Sequence, residues 1–107
     1  MKLKNKIVVI TGSGRGIGKA TAILMGKKGD KVVLNDLYEE GINETLGEME
    51  RLGIEVIGIE GDVSNESEVK KVIKKAVNYY GKIDILVNNA GLTGTFTLLH
   101  ELEEREW

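Results

Sequence analysis

The fold of this chain is decided by residues 6–18, which read KIVVITGSGRGIG. Residues 6–11 form a β-branched apolar run that a glycine-rich turn closes, as is typical of a buried strand. From Gly16 to Lys28 apolar side chains recur at helical spacing, and Gly29 follows in the position that commonly ends a helix. The stretch therefore predicts a buried strand, a tight turn and an amphipathic helix in immediate succession.

The same alternation of strand and helix continues along the chain. It predicts further strands at 31–36, 54–59 and 83–88, and further helices at 39–52 and, after Ser64 as N-cap, up to Tyr80. Residues 93–99 are expected to form a loop, and residues 101–107 to begin another helix. Strands that alternate with amphipathic helices indicate an α/β fold, with helices on both faces of a parallel sheet. No linker or repeat divides the sequence, so residues 1–107 are predicted to form a single domain.

The composition is that of an ordinary globular protein. Of the 107 residues 41% are hydrophobic and 30% charged, and the net charge of −2 gives no reason to expect nucleic acid or an anionic membrane as partner. No apolar stretch approaches the roughly 18 residues of a membrane-spanning helix, and no signal-peptide core opens the chain, so a cytoplasmic protein is expected. The chain has no cysteine, which rules out thiol catalysis and fits a reducing compartment.

The turn after the first strand has the features of a phosphate-binding site. Its unpaired backbone N–H groups and the positive end of the following helix would point at an anion. Gly12, Gly16 and Gly18 have the spacing G-x-x-x-G-x-G rather than the G-x-G-x-x-G of the common Rossmann motif. The alternative is a turn whose glycines serve only the packing of strand against helix.

Asp36 ends the second predicted strand and bears on the choice of nucleotide. An acidic residue there can bind both ribose hydroxyls of NAD, and its charge would repel the 2′-phosphate of NADP. Arg15 argues the other way, because a cation in the turn could pair with that phosphate, whereas Leu37 supplies no second cation. A solvent-facing aspartate at a strand end is the alternative. The pattern favours NAD over NADP.

Three motifs at the ends of predicted strands together resemble the short-chain dehydrogenase/reductase family, in its classical subgroup. They are Thr11-Gly12-x-x-x-Gly16-Ile17-Gly18, Asp62-Val63 and Asn88-Asn89-Ala90-Gly91. The resemblance covers the whole chain. It implies a Rossmann-like doubly wound parallel sheet, of which this chain would supply about four strands in the order 3-2-1-4. It also implies an oxidoreductase that acts on an alcohol or ketone.

The resemblance implies a cofactor-binding role at each of these strand ends. The glycine turn would wrap the pyrophosphate, Asp36 would hold the adenosine ribose, and Asp62 and Val63 would contact the adenine. The implied cofactor-binding set is Gly12, Ser13, Arg15, Gly16, Ile17, Gly18, Asp36, Leu37, Asp62, Val63, Asn89, Ala90 and Gly91. The last three would pass under the ribose on the nicotinamide side. Asn88 and Thr11 are expected mainly to tie strands together.

No catalytic or metal-binding residue is predicted in the chain. The family's chemistry uses Tyr-x-x-x-Lys with an upstream Ser and a still earlier Asn, in which the tyrosine exchanges a proton with the substrate oxygen. That spacing is absent, since the residues four places after the three tyrosines are Ile42, Ile83 and Asp84. His100 is expected to be an ordinary loop residue, and the glutamates at 101–106 to be the acidic first turns of a helix rather than metal ligands.

An unpaired edge is predicted along the fourth strand. In the family a fifth strand lies beside it, and no fifth strand is predicted in these 107 residues. Such an apolar edge invites pairing with another chain. We therefore expect a homo-oligomer, or a partner carrying the catalytic half, that covers this edge together with Leu98, Leu99, Leu102 and Trp107. Three functions remain open: a portion of a dehydrogenase, a stand-alone dinucleotide-binding module, and one subunit of a split enzyme. In each case the 107 residues alone are expected to bind cofactor weakly and without turnover.

Overall fold

The computed structural model describes residues 5–14, 16–63, 66–88 and 97–99. Within these ranges strands and helices alternate up to the fourth strand, and a short fifth strand follows. The elements are β1 (Ile7–Thr11), α1 (Gly16–Lys27), β2 (Lys31–Asp36), α2 (Glu39–Arg51), β3 (Val56–Glu60), α3 (Glu66–Tyr80), β4 (Ile85–Asn88) and β5 (Thr97–Leu99). Ser64, as predicted N-cap, and the predicted helix at 101–107 lie outside the described residues.

The strands form one sheet in the order β3-β2-β1-β4-β5. β1 lies at its centre and pairs in parallel with β2, from Ile7 opposite Lys31 to Thr11 opposite Asn35. On its other side β1 pairs in parallel with β4, with Val9 opposite Leu86. β3 pairs in parallel with the outer edge of β2. The predicted order 3-2-1-4 of four parallel strands is confirmed.

β5 was not expected from the sequence. It corrects the prediction of a loop at 97–99 and of an unpaired β4 edge, whereas residues 93–96 of the predicted loop lie outside the described residues. Thr97–Leu99 pair antiparallel with β4, with Leu98 opposite Val87. Three residues are too few to show the two-residue periodicity that distinguishes a strand in a sequence. The β4 backbone is therefore paired on both sides in the described part of the chain.

The two faces of the sheet carry separate apolar cores, because successive strand residues point to opposite faces. On one face Val8, Ile10 and Leu34 pack with Ala22 and Met25 of α1 and with Met49 of α2. On the other face, four residues of α3 pack with strand residues and with Ile83; the α3 residues are Val72, Ile73, Ala76 and Val77, and the others are Val9, Val33, Ile59, Ile83 and Leu86. Helices thus cover both faces, as predicted.

β1 begins one residue later than predicted, and β3 and β4 begin two residues later. Before β3 and β4 the preceding residues have other backbone partners. Ile54 donates its N–H to the Met49 carbonyl (3.0 Å), so it closes the end of α2 while its side chain fills the core. Ile83 and Asp84 precede β4, and the Asp84 N–H donates to the Ile7 carbonyl (2.9 Å). Asp84 also accepts the Ile7 N–H through Oδ2 at 2.8 Å, which secures the start of β1.

Candidate functional site

The strand order reverses at β1, and this reversal locates the candidate site at the carboxyl end of that strand. From β1 the chain passes through α1 to β2 on one side, whereas α3 leads to β4 on the other side of β1. In open parallel sheets the crevice that binds ligands lies where neighbouring connections diverge in this way, beyond the carboxyl ends of the strands. The segments that follow β1, β2 and β3 at this end begin with Gly12, Leu37 and Gly61.

The turn after β1 is anchored to two strands through Ser13. The Ser13 N–H donates to the Asn35 carbonyl at 2.8 Å. The buried hydroxyl of Ser13 donates to the Ile10 carbonyl (2.8 Å) and accepts the Asn35 N–H (2.8 Å). The hydroxyl is thus engaged with the sheet, and Ser13 acts on the site by fixing the turn. Gly12 precedes it with φ of 63°, in the left-handed region that favours glycine.

α1 begins directly at this turn. Gly16 opens the helix with φ of 60°, Ile17 is half-exposed, and Gly18 is buried. The first turn of α1 contains no acidic residue that would neutralise the positive end of the helix. The backbone is therefore suited to a bound phosphate. Arg15 lies outside the described residues.

The Asp36 carboxylate lies between the turn and the start of α2. Its Oδ2 accepts the backbone N–H of Gly14 at 2.9 Å. Its Oδ1 accepts the N–H of Leu37 at 2.7 Å and that of Tyr38 at 3.4 Å. The residue is only 8% exposed, whereas Leu37 beside it is 48% exposed. Backbone donors therefore hold a negative charge in one orientation next to the turn.

Asn35 holds the end of β3 beside the end of β2. Its side-chain amide donates to the carbonyls of Ile59 (3.0 Å) and Gly61 (3.3 Å). The Gly61 N–H donates in turn to the Asp36 carbonyl at 3.1 Å. The segment with exposed Asp62 and half-buried Val63 is thereby brought alongside Asp36. Sequence reasoning gave Asn35 no role.

The second feature that sequence reasoning missed is a close contact between the turn and α2. A Cβ atom on Gly14 would lie 2.8 Å from Asp36 Oδ2 and 2.9 Å from the carbonyl carbon of Gly41. The buried Thr45 hydroxyl donates to the Gly14 carbonyl at 3.3 Å. A signal for this contact exists in the sequence, because glycine inside an amphipathic helix is unfavourable and indicates a packing requirement.

The structure brings most of the predicted cofactor-binding residues to one end of the sheet. These residues are Gly12, Ser13, Gly16, Ile17, Gly18, Asp36, Leu37, Asp62 and Val63. Arg15, Asn89, Ala90 and Gly91 lie outside the described residues, as does His100. The Thr11 hydroxyl donates to the Val87 carbonyl at 3.5 Å and so links β1 to β4, in line with its predicted role.

The arrangement fits a dinucleotide. A turn of small residues and an uncompensated helix start suit the pyrophosphate, and the Asp36 carboxylate suits the hydroxyls of a ribose. Among the described residues, no three His, Cys, Asp or Glu side chains come together as they would around a metal ion. The helices in these ranges are too short or too polar to cross a lipid bilayer.

Comparison with known proteins agrees with this geometry. The model of the short chain dehydrogenase family matches residues 6–107. Over all 107 residues the chain is 37% identical to the (2S)-[(R)-hydroxy(phenyl)methyl]succinyl-CoA dehydrogenase subunit BbsD of Thauera aromatica and spans 43% of that protein. It is 38% identical to the 3-oxoacyl-[acyl-carrier-protein] reductase FabG of Thermotoga maritima, again over 43% of that protein.

Solved structures show the same fold. A hydroxysteroid dehydrogenase from Escherichia coli matches 87% of this chain with a TM-score of 0.81 and 38% identity, over 40% of its own length. A short chain dehydrogenase/reductase from Burkholderia phymatum, in complex with NAD, matches 80% with a TM-score of 0.77 and 36% identity, over 31% of its own length. The chain thus spans less than half the length of each of these proteins. With its family match over residues 6–107 and its nucleotide-binding fold, this chain belongs to the short-chain dehydrogenase family and carries the amino-terminal, nucleotide-binding part of that fold.

Proposed function

We propose that this chain binds NAD at the carboxyl end of its sheet, as the cofactor-binding part of a dehydrogenase that acts on an alcohol or ketone. The observation that carries the proposal is the fixed Asp36 carboxylate. It accepts backbone N–H groups from Gly14 at 2.9 Å and from Leu37 at 2.7 Å, immediately beside the phosphate turn. The complex of the Burkholderia phymatum relative with NAD supports the choice of cofactor.

Each part of the site would hold one part of the dinucleotide. The turn from Gly12 to Gly18 and the start of α1 would bind the pyrophosphate through backbone N–H groups. Asp36 would accept hydrogen bonds from the adenosine ribose hydroxyls, and Asp62 and Val63 would contact the adenine. Ile17, which is half-exposed, would border the cofactor at the start of α1. The bound nicotinamide supplies the hydride chemistry.

The charge of Asp36 distinguishes NAD from NADP. A carboxylate that is 8% exposed is poorly screened by solvent, and a 2′-phosphate on the ribose would lie against it. Leu37, which is half-exposed, offers no cation to offset this repulsion. NADP binding is therefore expected to be weaker than NAD binding.

Calorimetric titration with NADH and with NADPH tests the proposal. We expect saturable binding of NADH and at least roughly tenfold weaker binding of NADPH, equivalent to about 1.4 kcal/mol. Leu37→Arg should improve NADPH binding, because the new guanidinium would pair with the 2′-phosphate. Leu52→Arg is the matched control, since Leu52 is also about half exposed (53%) but follows α2 at the opposite end of that helix. Equal affinity for both nucleotides in the unaltered chain would overturn the assignment of NAD.

A stand-alone dinucleotide-binding module is the second candidate function. It is favoured by β5, which pairs with the β4 edge where a further part of an enzyme was expected to join. The 107 residues also contain no Tyr-x-x-x-Lys spacing, which fits a module that binds the dinucleotide. Addition of a separate catalytic half would restore NADH oxidation if the chain is one subunit of a split enzyme, and would change nothing for a module.

We also propose that any second chain joins this one at the outer edge of β5. A further proposal is that the protein resides in a reducing compartment such as the cytoplasm. Among the described strands β5 is the last on that side of the sheet, and the edge of a terminal strand is suited to pairing with another chain. The absence of cysteine supports the reducing compartment. Gel filtration with light scattering tests the association. A strictly monomeric species at micromolar concentration would exclude a homo-oligomer.

A further inference from the structure

The turn and α2 meet at two glycines, where a side chain on Gly14 would clash and one on Gly41 would be tightly packed. A Cβ atom on Gly14 would lie 2.9 Å from the carbonyl carbon and 3.1 Å from the Cα of Gly41. In the reverse direction, a Cβ atom on Gly41 would lie 3.2 Å from the oxygen and 3.3 Å from the Cα of Gly14. Backbone therefore packs directly on backbone between the turn and the first half of α2.

Thr45 adds a hydrogen bond to this contact. It follows Gly41 by one helical turn and is fully buried, with 0% exposure. Its hydroxyl donates to the Gly14 carbonyl at 3.3 Å. The N–H of Gly14 donates to Asp36. Gly14 is thus held at its N–H by the end of β2 and at its carbonyl by α2.

Ion pairs between α1 and α2 add to this contact. Lys19 of α1 lies 2.9 Å from Glu48 and 3.8 Å from Glu44, measured from Nζ to the carboxylate oxygens. Glu48 is a neighbour of Thr45 on the helix surface, and Glu44 is a neighbour of Glu48, because residues three and four apart share a face. α2 therefore contacts both the turn and the helix whose start would bind phosphate.

We propose that Gly41 and Thr45 are positioning residues for the phosphate turn, although neither lies in it. Peptide units are planar, and Thr45 holds the Gly14 carbonyl while Asp36 holds the Gly14 N–H, so both peptide units that meet at the Gly14 Cα are restricted. Without the Thr45 hydroxyl this buried carbonyl loses a partner, and the turn gains freedom that phosphate binding must then remove. The effect on nucleotide affinity rests on the proposed function, whereas the effect on the turn itself does not.

Hydrogen exchange in the ligand-free chain tests the effect on the turn, with Thr45→Val and Thr45→Ser compared. Valine keeps the shape of threonine and removes the hydroxyl, and serine keeps the hydroxyl. In Thr45→Val we expect the Gly14 amide to exchange roughly tenfold faster, the amount that loss of one net hydrogen bond allows. The Ser13 amide is the internal reference, because it donates to Asn35 of the sheet rather than depending on α2. Thr45→Ser should exchange like the unaltered chain at both amides.

NADH titration of the same variants tests the effect on binding. Thr45→Val should raise the Kd for NADH roughly tenfold, and Thr45→Ser should restore it. Gly41→Ala should weaken binding as well. Gly47→Ala in the same helix is its control, since a Cβ there would meet only Arg51 Nη1 at an ordinary 3.5 Å, and binding should be unchanged.

The outcomes separate the two proposals. If the unaltered chain binds neither nucleotide, the proposed function fails, and the exchange rates still decide the role of Thr45. If Thr45→Val exchanges at Gly14 as the unaltered chain does and keeps its NADH affinity, the positioning role is refuted. If Thr45→Val does not fold, the comparison of Gly41→Ala with Gly47→Ala decides: equal exchange at Gly14 in these two variants would likewise refute it.

Discussion

The Asp36 carboxylate and the Gly14 backbone are joined by a hydrogen bond of 2.9 Å between Oδ2 and N. This bond crosses from the end of β2 to the turn that follows β1. The residue expected to select the ribose is therefore also a structural part of the turn expected to bind the phosphates. A change at either residue should affect both parts of the nucleotide site.

Replacement of Asp36 by alanine should reduce both stability and affinity. The change leaves the N–H groups of Gly14 and Leu37 without their acceptor, and an unsatisfied buried donor costs about 1–3 kcal/mol. Urea unfolding should show a drop in the free energy of unfolding of that order, and calorimetry a loss of NADH affinity. Glu60→Ala is the control, because Glu60 is an exposed carboxylate at the corresponding end of β3. An Asp36→Ala protein as stable as the control would show that these hydrogen bonds contribute little.

Replacement of Ser13 by alanine should act mainly on stability. The variant loses the acceptor of the Asn35 N–H and the donor to the Ile10 carbonyl, both at 2.8 Å in the buried turn. We expect a loss of about 1–3 kcal/mol in urea unfolding and a smaller change in NADH affinity than for Asp36→Ala. Ser67→Ala on the exposed face of α3 should be neutral. A large loss of affinity at unchanged stability would instead indicate direct contact between Ser13 and the cofactor.

Local patterns predicted the alternating elements, and the resemblance to the dehydrogenase family implied the order of the four parallel strands. Val8 and Ile10 on one face and Val9 on the other show the continuous apolar run of a buried strand, and the glycine after α1 ends that helix as expected. Asp36 could be placed beside the turn from the sequence, because parallel strand ends share one edge of the sheet.

The remaining features depend on contacts between distant parts of the chain. Gly41 and Thr45 lie 27 and 31 residues after Gly14, and their role follows from how closely α2 approaches the turn. The orientation of the Ser13 hydroxyl depends on Asn35 of the neighbouring strand, which no local pattern contains. β5 pairs antiparallel over three residues, too short a segment for periodicity to distinguish it from a loop.

The contribution of Asp30 to the stability of the fold should be smaller at neutral pH than at acidic pH. Burial raises the pKa of its carboxyl above the usual 3.8, and the charge of Asp84 raises it further, against the opposing effects of the Lys6 N–H bond and the Lys6 charge. The folded state therefore binds this proton more tightly than the unfolded state. The contribution of Asp30 to stability is lost as pH rises from the unfolded pKa through the folded one.

Asp30→Asn measures this contribution. Asparagine keeps an acceptor for the Lys6 N–H, which Asp30 binds at 3.0 Å, and removes the buried charge. The variant should melt at a higher temperature than the unaltered chain at pH 7, with a difference that shrinks toward pH 4. In NMR titrations, Asp84→Asn should lower the pKa of Asp30. A difference in melting temperature that stays constant with pH would exclude titration of Asp30 as its cause.

The phenol of Tyr80 should lose its proton only at high pH, and this ionisation should make the fold less stable there. Burial raises the pKa of its phenol from 10.0 to about 12, and the negative charge of Glu55 adds to the shift. Because the folded pKa is the higher one, the stabilising contribution is complete below pH 10 and is lost as pH rises toward 12. Ultraviolet absorbance should show an ionisation step near pH 12 that Tyr80→Phe removes. Persistence of that step in the variant would assign it to another tyrosine.

The paired glycines at positions 14 and 41 limit how the cofactor preference of this protein can be redesigned. The natural strategy is to transplant the segment after β2 from an NADP-dependent relative, since this segment carries Asp36 and Leu37. A donor sequence with any side chain at position 41 would bring an atom within 3.2 Å of the Gly14 oxygen. Such a graft would require the turn on which both nucleotides depend to shift by a few tenths of an ångström, and we expect a lower affinity for each of them. Exchange of the preference therefore has to leave α2 in place and change only Asp36 and Leu37.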